Sequence, residues 1–224
     1  MTRSPLKRES LRILRERAIP VVTVLDVGVL KGTPELLEAF PDIPHLLFEP
    51  VSEFIEHIEK AYAGTPHRIV SCAVSDRSGE VSLGTVSIIP GLPISHAFMT
   101  EIPAQATRTV PMISLDDFLS TNPAAAPYLL KIDIDGHEMK VLRGAGATLK
   151  QTSVVIIEIP VGAIVERLAF LEQAGFRLFD LTEPCYYDES FWCCDAVLIR
   201  RDIHDERFAD IRRNFDVAKY QIFK

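Results

Sequence analysis

The 224-residue chain predicts an α/β fold, a mostly parallel, twisted seven-stranded sheet with helices on both faces and one antiparallel strand near the C-terminus. Three observations carry that expectation. Short β-rich runs alternate with helical patterns, the rhythm of a covered parallel sheet. A turn bracketed by Gly28 and Gly32 follows the first apolar strand directly and opens a helix. The last two β-rich runs have no helix between them, which makes a closing hairpin and reverses one strand.

The first strand is expected over 21–27, and Thr33-Pro34-Glu35 reads as a helix start with Thr33 as N-cap and Pro34 at the first helical position. A second strand over 46–49 precedes Phe54, Ile58 and Tyr62, which recur at helical spacing. The third strand is placed at 68–73. From 74 to 112 the pattern breaks into prolines, turns and short β-rich pieces, an insertion of hairpins and loops of the sort that carries acceptor specificity. Ser114, with Asp117 three residues on, caps a short helix. The fourth strand, 128–133, leads into a helix over 138–143 that Gly144 or Gly146 can end. A fifth strand over 153–159, a helix over 165–174 and the hairpin strands 176–181 and 195–200 complete the sheet. Phe208, Ile211 and Phe215 form an apolar stripe in a charged tail, read as a helix packed on its own domain or as a homodimer contact.

These elements are expected to form a single domain over 1–224, with a helical N-terminal extension at 1–20, the insertion at 74–112 and a tail at 202–224; no Pro/Gly/Ser-rich linker divides them. The balance of 24 basic against 31 acidic residues, a net charge of -7, argues against a nucleic-acid groove. The basic start lacks the continuous apolar run of a signal peptide, and no segment approaches the roughly 18 apolar residues of a membrane span, so a cytoplasmic protein is expected. Cys72, Cys185, Cys193 and Cys194 form no CxxC pair and read as buried reduced thiols.

Chemistry concentrates at the end of the fourth strand, where Asp133, Asp135, His137 and Glu138 fall within six residues. In open α/β sheets ligands sit beyond the carboxyl ends of the strands. A second concentration is the turn Asp26-Val27-Gly28-Val29-Leu30-Lys31-Gly32 together with Glu49, 21 residues after Gly28 and at the end of strand two. An acid there can accept hydrogen bonds from both hydroxyls of an adenosine ribose. A dinucleotide needs G-x-G-x-x-G; here Leu30 stands at the second glycine, so a pyrophosphate fits badly. S-adenosylmethionine, with adenosine but no phosphate, needs only backbone groups and an acid such as Asp26.

In chain order, Asp26-Val27-Gly28 with Gly32, Phe48-Glu49-Pro50, Ala73-Val74-Ser75-Asp76, Ser114-Leu115-Asp116-Asp117-Phe118-Leu119, Leu130-Lys131-Ile132-Asp133-Ile134-Asp135-Gly136-His137-Glu138 with Val141-Leu142-Arg143-Gly144-Ala145, and Ile157-Glu158 resemble the FkbM family of S-adenosylmethionine-dependent methyltransferases. The family often has Ala-Asn where Val29-Leu30 stand, and usually Glu where Asp135 stands. The resemblance implies a Rossmann-like methyltransferase fold, cofactor contacts from Asp26, Gly28, Gly32, Glu49, Ala73 and Asp133, and O-methylation of a hydroxyl on a sugar or other polar small molecule.

The sulfonium already activates the methyl group, so the enzyme must hold an acceptor oxygen in line at about 3 Å and remove its proton. Asp133 and Asp135 are expected to orient the acceptor, with His137 as proton acceptor and His96 of the insertion as a substitute. Two structural roles compete: Asp135 as N-cap with Glu138 in a capping box, and Asp133 as a brace of the crevice. The same acids and histidine form an oxygen-rich set that would suit magnesium, although no metal is assigned. Two other function classes stay open, a non-catalytic nucleotide-binding module and a nicotinamide-dependent oxidoreductase.

Overall fold

The computed structural model describes residues 4–88, 90–91, 93–213 and 215–222. Residues 1–3 of the expected N-terminal extension, 89 and 92 of the insertion, and 214, 223 and 224 of the tail lie outside the described residues. The strands are β1 (Thr23–Val27), β2 (His45–Phe48), β3 (His67–Val70), β4 (Ala73–Ser75), β5 (Gly79–Val86), β6 (His96–Met99), β7 (Arg108–Ser114), β8 (Tyr128–Ile132), β9 (Thr152–Pro160), β10 (Phe176–Tyr187) and β11 (Ser190–Arg200). The helices are α1 (Lys7–Glu16), α2 (Pro34–Ala39), α3 (Ile55–Ala61), α4 (Leu115–Thr121), α5 (Glu138–Arg143), α6 (Gly146–Lys150), α7 (Ile164–Gln173) and α8 (Arg201–Arg207).

Seven strands form the main sheet in the order β10-β11-β9-β8-β1-β2-β3, and β11 alone runs against its neighbours. The sheet is mostly parallel with a reversed strand near the C-terminus, as the sequence predicts. Alternation assigns each face. Leu25 and Val27, Leu130 and Ile132, Val155 and Ile157, and Ala196 and Leu198 pack with residues of α4, α5, α6 and α7. Val24, Leu129, Val154, Ile156 and Val197 point the other way, against Leu11 and Leu14 of α1, Leu36 of α2 and Ile203 of α8. The same alternation puts Asp26, Lys131, Glu158 and Asp195 on this second face, at the strand ends where the apolar run stops.

Several local expectations change. The third strand stops at Val70; the chain turns, with Cys72 N–H donating to the Val70 carbonyl, and Ala73 opens β4 in a different sheet. The hairpin expected in the 74–112 segment is present as β5 and β6, and it joins β4 and β7 in a four-stranded sheet of its own. Its buried Leu83, Val110 and Met112 share a core with Phe54, Ile58 and Tyr62 around α3. The closing hairpin is longer than expected, reaching Tyr187 and Ser190.

Among the described residues no helix carries the stripe of the tail: α8 ends at Arg207, Phe208 packs on Phe179 and His204, and Ile211 and Phe215 are exposed. Cys185 is exposed rather than buried, while Cys72, Cys193 and Cys194 are buried free thiols. Among the described residues no helix is long and apolar enough to cross a membrane.

Gly28 marks where the fold and the candidate site meet. Its φ is +84°, and a Cβ there would lie 1.8 Å from the Asp133 carbonyl oxygen, because the turn after β1 passes directly against the end of β8. Its amide donates to the Phe48 carbonyl at 3.1 Å, tying the turn to β2 as well. Gly28→Ala therefore combines left-handed strain with overpacking and is expected to destabilise the protein by about 2–5 kcal/mol. A urea-unfolding midpoint unchanged from the wild type would contradict the close approach.

Candidate active site

A cavity opens over the carboxyl ends of β1, β2 and β8, where a twisted parallel sheet spreads its crossover connections apart. Gly28, Leu30, Phe48, Glu49, Pro50, Ala73 and Val74 line one end; Asp133, Asp135 and Glu158 line the other. Leu83 of β5 and Ser95, His96, Ala97 and Met99 of the neighbouring segment close it from the four-stranded sheet. The cavity therefore brings together Gly28, Glu49, Ala73, Asp133 and Asp135 from the residues singled out in the sequence. It does not include Asp26, Gly32 or His137.

Glu49, buried at the end of β2, is held by two backbone amides: Leu30 N–H donates to Oε2 at 2.8 Å and Val51 N–H to Oε1 at 2.9 Å. Each oxygen keeps a second acceptor position, so the carboxylate is aimed and still able to take two hydroxyl donors. Burial pushes its pKa up to about 6 against the opposing pull of those amides. Leu30 reaches this geometry with a φ of +56°, the conformation for which the sequence supplies no glycine.

Asp26 is 0 % exposed and faces inward. Its carboxylate accepts from the Thr33 hydroxyl at 2.7 Å and the Tyr62 hydroxyl at 3.3 Å, and meets Lys131 Nζ at 3.2 Å. Thr33 precedes α2 as expected, but its hydroxyl serves Asp26 rather than the helix amides. Gly32, at φ +124°, would place a Cβ 3.1 Å from the Ala61 side chain, so its lack of a side chain serves packing on α3.

Lys131 is the residue that sequence reasoning passed over. It lies in the middle of the apolar strand β8, and its ammonium donates to the Gly28 carbonyl at 2.5 Å while meeting Asp26 at 3.2 Å and Asp133 at 3.5 Å. Burial would lower its pKa, but Asp26 and Asp133 outweigh that and raise it. The signal was present as a lysine between Leu130 and Ile132, since a lone charge in a buried strand needs a partner.

The turn after β8 departs from a capping box. Asp135 has φ +52° and Gly136 φ +104°, so neither is an N-cap, and α5 begins at Glu138 with His137 before it. Glu138 is buried; its Oε1 accepts from Gly136 N–H at 3.0 Å and its Oε2 meets Arg167 Nη2 at 2.5 Å, which makes it a structural brace. Asp135 points toward His96 and the Ala97 amide; burial raises its pKa, His96 opposes the rise, and Asp133 and Glu138 add to it.

His137 lines a separate, adjoining cavity with Arg77, Glu80, Glu101 and Lys140, which shares Met99 with the first. Burial and Lys140 lower its pKa, and its Nδ1 is buried without a hydrogen-bond partner among the described residues. The structure thus separates His137 from the two aspartates it was grouped with. Among the described residues no three His, Cys, Asp or Glu side chains converge as metal ligands, so the magnesium set is not assembled.

Residues 26–178 match the family model described as the methyltransferase FkbM domain. The chain belongs to the FkbM methyltransferase family. It is 25% identical over 156 residues to the hexuronic acid methyltransferase AglP of Haloferax volcanii, covering 70% of this chain and 63% of that relative, so the match spans less than two thirds of the longer protein. Among solved structures, an FkbM methyltransferase from Methylobacillus flagellatus KT superposes with a TM-score of 0.51 at 13% identity, over 79% of this chain and 43% of that one. An rRNA methylase from Streptococcus thermophilus gives 0.51 at 12% identity, over 89% and 98%. Those two likenesses establish the Rossmann-like methyltransferase fold.

The Lys131 clamp has a testable consequence. Removing one partner of a buried pair leaves the other charge uncompensated, so Lys131→Met is expected to cost about 3–5 kcal/mol. Asp26→Asn in the same chain should restore part of that, because the orphaned charge is gone. Chemical denaturation of both single variants and the double variant measures the coupling, and additive losses would show that the two groups act independently.

Proposed function

We propose that the protein uses S-adenosylmethionine to methylate a hydroxyl group on a sugar. The observation that carries the cofactor half is Glu49, whose two oxygens are aligned by backbone amides and keep free acceptor positions toward the cavity, the arrangement a ribose diol requires. Phe48, Ala73 and Val74 beside it offer an apolar slot for a purine ring. No lysine or arginine lines this cavity among the described residues, which favours a cofactor without a pyrophosphate.

When bound, S-adenosylmethionine supplies an electrophilic methyl group. The chain's own residues then have two tasks. Gly28 and Glu49 fix the cofactor's position, and Asp133 and Asp135 orient an acceptor hydroxyl at the far end of the cavity. The name of the Haloferax relative makes hexuronic acids the first acceptors to try. Their carboxylate would be repelled by Asp133, Asp135 and Glu158, and the nearest cations to receive it are Arg77 and Lys140, which line the adjoining cavity together with Glu80 and Glu101.

Calorimetric titration with S-adenosylhomocysteine is expected to show one-to-one, micromolar binding, with none for NADH. Folded protein that binds neither compound would rule the cofactor reading out. The pH dependence gives a second check. Ionised Glu49 can keep both amide bonds and still accept two hydroxyls, whereas the protonated form cannot; binding should therefore be constant above about pH 6 and weaken up to tenfold per unit below it. An affinity for S-adenosylhomocysteine that is flat from pH 5 to 8, or unchanged by Glu49→Gln, would remove Glu49 from the site.

A further inference from the structure

Most of the acids in and around the cavity have a hydrogen-bond or ion-pair partner. Asp26 and Asp133 share Lys131, Glu138 holds Arg167, and Asp195 meets Lys7 of α1 at 2.7 Å. Glu49 is bound by two amides, and Asp135 faces His96 and an amide. Glu158, near the end of β9, lines the same cavity, yet its carboxylate has no hydrogen-bond or ion-pair partner among the described residues. Its main chain is firmly placed: the Glu158 carbonyl accepts from Arg167, and the residue pairs in register with Asp195 of β11.

On the other side, Ile132 pairs with Ile157, so Asp133 and Glu158 are the next residues beyond the last rung of adjacent parallel strands. Alternation puts Glu158 on the face of Lys131 and Asp195. It therefore stands on the β9 side of the site, away from the Glu49 end that would hold adenosine.

We propose that Glu158 is the general base that takes the proton from the acceptor hydroxyl. The inference rests on the methyl-transfer reading above. In the step, the acceptor oxygen bonds to the methyl carbon and the carbon–sulfur bond breaks with its electron pair remaining on sulfur. The hydroxyl proton passes to a Glu158 carboxylate oxygen and leaves to water after product release. The surroundings suit that task. Burial, then Asp133, Glu138, Asp135 and Asp195 push the Glu158 carboxyl up to about 7. The nearby cations Lys7, Lys131 and Arg167 are each engaged by another acid, while the Cys193 thiol lies on the same side and His96 faces the site from β6. The base form predominates only above that point, so turnover should rise as pH passes through about 7.

The test uses the full chain in two measurements. Carbon-13 NMR of glutamate-labelled protein is expected to show a carboxyl titrating near pH 7 that disappears in Glu158→Gln. Methyl transfer from S-adenosylmethionine to methyl glucosiduronic acid and to methyl glucoside is then followed against pH for the wild type, Glu158→Gln, Glu158→Asp and His96→Gln. Glu158→Gln should lower kcat about 10²- to 10⁴-fold and lose the inflection, with S-adenosylhomocysteine affinity within twofold of wild type. Glu158→Asp, which keeps an acid, should retain more activity than the amide. If Glu158→Gln keeps rate and inflection while His96→Gln loses both, His96 is the base and the inference is overturned. A Glu158 carboxyl titrating below about pH 5 overturns it whichever acceptor reacts. A wild type that binds S-adenosylhomocysteine but methylates neither sugar instead overturns the sugar reading.

Discussion

The buried ammonium of Lys131 is the constraint on which the rest of the site depends. It is 4 % exposed, yet it joins the Gly28 carbonyl, Asp26 and Asp133, three groups from two adjacent strands. Coulombic attraction in a site shielded from water is strong, and so is the cost of leaving the buried charge of Lys131 or Asp26 alone, whereas Asp133 is half-exposed. The clamp consequently fixes how the ends of β1 and β8 meet. Gly28 has room only as a glycine there, and its turn leads into Leu30, whose amide holds Glu49. One cation near the end of β8 thus helps position the acid at the end of β2, whose carboxylate the Leu30 amide holds.

The same face of the sheet shows how the fold manages a concentration of negative charge. Asp26, Asp133, Glu158 and Asp195 crowd the strand ends where the apolar core stops, and burial together with the nearby negative charge raises the pKa of Glu158 and Asp195. Two helices bring cations to these strand ends. Lys7 at the start of α1 reaches Asp195, and Arg167 of α7 reaches Glu138 while also holding the Glu158 carbonyl. Glu158 is left to feel its neighbours without a counter-ion, so its proton affinity is a property of the whole arrangement rather than of one contact.

What was legible in the sequence follows from what depends on local pattern. The seven strands, the reversed strand and the Ser114 cap are read from alternation, from missing connections and from a spacing of three; the Ser114 hydroxyl does accept from Asp117 N–H at 3.1 Å. Gly28 and Glu49 stand out in the sequence because a turn glycine and an acid at a strand end have recognisable spacing, and both line the cavity. Lys131 and Glu158 do not stand out, because their surroundings come from register across strands far apart in sequence. The grouping of His137 with Asp133 and Asp135 failed for the converse reason. Closeness along the chain says nothing of direction once Asp135 and Gly136 adopt positive φ and turn the backbone before α5. The second sheet was hidden by its prolines, since Pro111 sits inside β7 and Pro103 in the connection before it.

These two kinds of legibility coincide with a division of labour in the cavity. One end is made by the main sheet and by backbone amides fixed through buried ion pairs, so it tolerates little change. The cavity is roofed by Leu83, Ser95, His96, Ala97 and Met99 of the four-stranded sheet and the segment leading into β6, whose side chains contribute shape and few of the charges that hold the strand ends. Substitutions in β6 can therefore reshape the cavity without disturbing Lys131 or Glu49. The shape of the roof and the charges of the strand ends can vary separately, because no ion pair among the described residues joins β6 to the Lys131 clamp.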